Sequence, residues 1–234
     1  MCVAKERLKA ASYINLRPYC FDSSARNTQE YDVVWSAHFA FNKKIRSEKV
    51  FLHIPELISL ELNEQWKKAV EMLIERWMKS KNDVQILLRL LSECWYVLML
   101  WDCCISDHEN DFLFFFSELK SSIIYGDNHF KNDPFYLATT GYFMVTTPYL
   151  FVYDSTKKDD MVEIEGKNRL EKALLLSPDY PFGNVLYSGY VNDLNTHRNV
   201  QKRFSQKLSE LDWDDSAVEK YFQEILFENT LTKL

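Results

Sequence analysis

Between Asn63 and Lys79 the apolar residues Trp66, Ala69, Val70, Leu73, Ile74 and Trp77 recur three or four positions apart, while Lys67, Lys68, Glu71, Glu75 and Lys79 fill the intervening positions. This is the pattern of a helix with one buried face, and Asn63 is placed to cap its start. The break "KND" at 81–83 follows, with Asp83 as the next cap. Residues 84–102 are apolar on most sides and predict a central helix. A further helix is expected from Glu109 to Tyr125, with Phe112, Phe115, Phe116, Leu119 and Ile123 inward and Gly126 as its C-terminal stop. Asp133 and Pro134 then restart the chain as cap and first-turn residue, and Pro148 bends or ends that helix. "DSTKKDD", 154–160, reads as a polar loop before a helix over 161–176 that closes at "SPDYP". Two more helices are expected near 197–211 and 216–229, the second preceded by Asp214 and Asp215 as capping acids. Residues 1–55 are harder to place. "EYDVVWSAHFAFNKKIR" fits an amphipathic helix with Val34, His38, Phe41 and Ile45 on one face, but a strand pair stays open.

The expected fold is therefore all-α: antiparallel helical hairpins stacked as an irregular array, in a single domain over 1–234 with its helical body at 56–234. Composition agrees. Only 5 Gly and 6 Pro occur, with no Gly before Gly126 and no Pro between Pro55 and Pro134, so the chain lacks the turn residues an all-β protein needs. Hydrophobic residues make up 47% and aromatics 15%, enough for a sizeable core. The most apolar run, Val84–Ile105, is interrupted by Gln85, Arg89, Ser92, Glu93 and Asp102, which suits a buried helix and not a membrane span. Five cysteines without framework spacing and an N-terminus without an apolar signal core lead us to expect a cytoplasmic protein.

Charge narrows the function. Residues 1–50 hold nine Lys/Arg and five Asp/Glu, a balance of +4; the rest hold 19 and 29, a balance of −10, giving the net −6. An acidic body does not suit nucleic acid, which needs a basic face, and does suit a basic protein partner. Three acidic groups are the candidate contacts. Asp102, Asp107, Glu109 and Asp111 form the first, Asp159, Asp160, Glu163 and Glu165 the second, and Asp212, Asp214 and Asp215 beside Trp213 the third. Tyr and Trp anchor such surfaces and charges steer the approach.

Catalysis finds little support. "WDCCISDHEND", 101–111, concentrates Cys103, Cys104 and His108 among acids. Adjacent cysteines diverge by about 100° on a helix, and no second Cys or His pair completes a zinc site. A thiol nucleophile there would need a histidine from elsewhere. No phosphate-cradling or nucleophile-elbow pattern occurs. We expect no enzyme, cofactor, metal, small-molecule substrate or membrane.

"GKNRLEKALLLSPDYP" resembles the second helix of a tetratricopeptide repeat: Gly166, Leu170, Ala173 and Pro178 stand at the small, large, Ala and Pro positions. "FYLATTGYFM" partly matches the first helix, with Leu137, Gly141 and Met144. The Gly141–Pro178 separation of 37 (178 − 141) exceeds the roughly 24 of the repeat, so the loop between is an insertion. In general character, acidic, Gly-poor and helical, the chain resembles the immunity proteins of bacterial contact-dependent growth inhibition. That resemblance implies a cognate basic toxin, such as a nuclease, whose active or substrate-binding site the protein covers. The tetratricopeptide resemblance implies the alternative, an adaptor holding peptide segments of partner proteins.

Overall fold

The computed structural model describes residues 51–101, 109–152, 158–191, 194–211 and 213–231. Among them are nine α-helices and one short 3-10 turn, and no strand. The helices are α1 (Pro55–Leu62), α2 (Trp66–Lys79), α3 (Val84–Met99), α4 (Glu109–His129), α5 (Pro134–Thr146), α6 (Asp159–Leu176), α7 (Pro181–Val191), α8 (Leu194–Ser209) and α9 (Ala217–Leu231). The expected all-α architecture holds. The reading of residues 1–50, including the helix through His38, lies outside the described residues.

Local signals explain most boundaries. The Asp83 carboxylate accepts from the N–H of Gln85, and Asp133 accepts from those of Phe135 and Tyr136, so each satisfies donors the first turn leaves open. Pro134 occupies the first turn of α5, and Pro148 begins the 3-10 turn after Thr146. Three expectations need correction. Asn63 does not start α2; it ends α1, its amide donating to the Ser59 carbonyl at 2.7 Å, and Glu64 makes the turn at positive φ. Gly126 does not stop α4, which runs on to His129. A Cβ at Gly126 would stand 2.3 Å from the Tyr136 ring, so glycine is there to admit a neighbouring helix. Asp159 and Asp160 are not loop residues but the first turn of α6, where carboxylates favour the helix dipole. The helix α7, unforeseen in the repeat-like register, follows Tyr180.

Successive helices run antiparallel. Trp66 of α2 meets Tyr96 of α3, and Lys81 just before α3 accepts from Tyr125 late in α4. The α5–α6 pair is the tightest: a Cβ on Gly141 would lie 2.8 Å from the Gly166 carbonyl, and one on Gly166 2.7 Å from Val145. Two glycines at the crossing let the backbones approach.

One continuous apolar core runs from Phe51 to Leu226. At its centre Trp95 stacks on Phe143 at 4.3 Å and meets Tyr221 edge-on at 5.4 Å, and its indole N–H donates to the Thr147 hydroxyl at 2.7 Å. Phe222 of α9 touches Phe51, Tyr142 and Phe182 as well. In an open solenoid each unit contacts only its neighbours. Here α9 packs on α1 and α3, so the last described helix closes the array on the first.

Candidate functional site

The three acidic groups fare differently once side chains are placed. In the first, Asp102, Asp107 and the Glu109 side chain lie outside the described residues, as do Cys103 and Cys104. Asp111 is engaged internally, accepting from Lys67 at 2.9 Å across to α2. In the second, Asp159 and Asp160 are exposed, whereas Glu163 pairs with Lys167 at 3.1 Å and accepts from the Tyr190 hydroxyl. Burial opposes ionisation of Glu163, but Tyr190 and Lys167 outweigh it and hold the carboxyl below its usual range. Glu165 accepts from Arg169 at 2.7 Å. In the third, Asp212 lies outside the described residues. Asp214 is nearly buried, accepts from the N–H of Ser216 at 2.9 Å and lies 3.3 Å from His53 Nδ1. The indole N–H of Trp213 donates to the Leu208 carbonyl at 2.8 Å. Asp215 stays open to solvent, 3.5 Å from Lys220. Of the described acids in these three groups, Asp159, Asp160 and Asp215 are the ones the fold leaves facing outward.

The exposed positions of α6 add something that charge counting missed. Met161, Ile164 and Leu175 are 51%, 56% and 83% exposed. Their spacing of three and eleven places them on one side of the helix, with Asp160 beside Met161 and with exposed Asn168, Glu171 and Lys172 between Ile164 and Leu175; Glu171 accepts from the Tyr187 hydroxyl at 3.4 Å. The 3-10 turn packed on α6 exposes Tyr149 as well.

Beneath the surface, two polar networks hold helices together. In the first, Arg169 of α6 grips Asp127 of α4 with both terminal nitrogens, at 2.7 and 2.9 Å. It also donates to Glu165 and to the Thr140 hydroxyl of α5. The Tyr136 hydroxyl donates to Asp127 at 2.7 Å; burial first, and the Asp127 charge second, push that phenol far above its ordinary range.

The second network is a nest of three carboxyls around Arg89 where α1, α3 and α9 meet. Arg89 donates to Glu61 at 2.6 Å and lies 3.8 Å from both Glu93 and Glu219. Glu61 also accepts from the N–H of Ala217, the first residue of α9. Glu219 accepts from the Asp214 N–H at 2.6 Å, while the Ser216 hydroxyl accepts from the Glu219 N–H. Carboxylates thus sit at the positive end of α9. Glu93 is wholly buried. Burial first, then the Glu61 charge, raise its carboxyl from 4.5 to about 8, with Arg89 opposing. Glu61 is raised too, again by burial, against Arg89 and the Ala217 N–H.

A carboxyl held neutral near pH 7 is a familiar catalytic device, but Glu93 has no solvent access through which a substrate could reach it. Ser188 and His197 meet at 2.9 Å, yet Ser188 is buried and its hydroxyl donates to the Val185 carbonyl; the pair ties α7 to α8. Burial pushes the Cys94 thiol well above its usual range, the opposite of a nucleophile's requirement. Among the described residues no group of three or more His, Cys, Asp or Glu is arranged to hold a metal ion. No described helix is long and apolar enough to cross a membrane. Comparison with known proteins finds no matching family model, no matching curated protein and no matching solved structure.

Proposed function

We propose that this chain is a non-catalytic protein-binding module that neutralises a basic protein toxin, with the outer face of α6 as its contact surface. The observation that carries the reading is the stripe of exposed Met161, Ile164 and Leu175 beside Asp160 and Glu171. The apolar side chains supply contact area, and the acids among them steer a cationic partner. Asp159, in the same first turn of α6, extends the acidic field. The −10 balance of residues 51–234 (19 Lys/Arg against 29 Asp/Glu) has the sign such a partner needs. Closure of the array by α9 weighs against a peptide-holding adaptor, because a concave groove needs the ends of the array to stay apart.

The test is affinity capture from the native host with the full chain as bait, at low and at high salt. A single stoichiometric basic partner is expected, with association that slows as salt rises, loss of capture for Ile164→Asp, and relief of the partner's toxicity on co-expression. Several unrelated partners sharing one short peptide would replace this reading with the adaptor.

A further inference from the structure

Charge counting sets the problem in the Arg89 nest. Glu61, Glu93 and Glu219 bring three carboxyls to one guanidinium, and none of these side chains is more than 2% exposed. Arginine stays cationic at every pH a protein survives. Three buried carboxylates against one cation would leave two negative charges uncompensated at close range, and a bound proton removes one of them.

Backbone donors decide which acid takes it. Glu61 accepts from the Ala217 N–H and Glu219 from the Asp214 N–H, and such bonds favour the ionised form. Neither Glu93 oxygen makes a hydrogen bond of ordinary geometry, and the hydroxyl of adjacent Ser92 is likewise buried without one. Glu93 has the least support for a charge. We propose that the folded chain carries one structural proton on Glu93, and that this proton latches α9 to α1 and α3, so that the attachment of α9 weakens as the proton is withdrawn.

The surroundings leave the proton no better site. From α1 the facing group is Glu61; from α9, Glu219; from the turn before α9, Asp214, with His53 behind it. On α3 itself Arg89 is committed as the cation, and Cys94 looks toward Glu118 of α4. From α5 and α9, Tyr142 and Tyr221 meet each other's hydroxyls beside Trp95. From α2 the core receives Ala69, Val70, Leu73 and Trp77.

The sign follows from linkage. Glu93 binds its proton more tightly folded, about 8 against 4.5, so its contribution is complete below the lower value and gone above the higher one. Hydrogen exchange of the full chain across that window tests the latch. Opening of α9 should grow up to about tenfold per pH unit relative to the α5–α6 pair, and level off above about pH 8. Glu93→Gln, which keeps the shape and needs no proton, should flatten that slope and leave α9 more protected near neutrality than in the parent. A slope unchanged in Glu93→Gln would overturn the proposal. If that variant does not fold, the parent decides alone: α9 and the α5–α6 pair opening in step across the window sinks the latch, and a steeper α9 sustains it.

Discussion

Arg89 and Arg169 each join three helices, yet they meet their acids in different settings. Arg169 is matched in shape: Asp127 takes both terminal nitrogens and Glu165 and Thr140 accept the rest. Its two carboxylates remain 40% and 38% exposed, so water still reaches both. Arg89 is outnumbered and dry, with three carboxyls and no side chain more than 2% exposed. The first network spans residues 127–169. The second draws on positions 61, 89, 93 and 219. Partly exposed acids thus leave Arg169 an ion pair at the rim, whereas the junction that closes the array depends on a charge balance only the folded state can set.

The same substitution at both arginines should separate the two settings. Arg89→Met removes the sole cation of the nest and strands buried carboxylates, a change that costs about 3–5 kcal/mol. Urea unfolding should record it near neutral pH as a midpoint shift close to loss of fold. Part of the deficit should return toward about pH 5, where the acids accept protons. A shift no greater than that of Arg169→Met would erase the distinction. Arg169→Met, by contrast, leaves Asp127 and Glu165 free to rehydrate, so screening limits the loss to about 1–2 kcal/mol, with little dependence on pH above the carboxylate range. A strongly pH-dependent loss at Arg169 would mean that this rim is drier than its exposure implies.

How legible each region is in the sequence follows from the same contrast. Asp83 and Asp133 are readable because a cap acts on N–H groups two or three residues away. The small residues Gly141 and Gly166 are readable as points of helix approach through the resemblance of their segments to a tetratricopeptide repeat. Arg89 and Glu93 are visible as polar breaks in an apolar run, and their separation by four on a buried helix already implies an internal pair. Their partners Glu61 and Glu219 have no local signature: one looks like the exposed end of a short helix, the other like an ordinary third-position acid. Gly126 misleads for the same reason, since its cause is the ring of Tyr136 ten residues on. The acidic clusters were legible as charge but not as availability, because Glu163, Glu165 and Asp214 are taken up by internal donors.

The smallest effect probes the crossing of α5 and α6, where two terms oppose. Alanine is better than glycine inside a helix by about 1 kcal/mol. At Gly166, however, the new methyl would lie 2.8 Å from the Gly141 carbonyl and 2.9 Å from Met144 Cβ. The carbonyl belongs to a neighbouring backbone and cannot swing aside, so the helices must part. Overpacking of this kind costs about 1–3 kcal/mol, and Gly166→Ala should therefore destabilise by about 1 kcal/mol net. Because parting the helices also pulls the Arg169 nitrogens from Thr140, the double variant with Arg169→Met should lose less than the sum of the singles. Thermal unfolding of the four proteins reads both quantities. If Gly166→Ala proves stabilising, the crossing is slack and Arg169, not backbone proximity, sets the separation of α5 and α6.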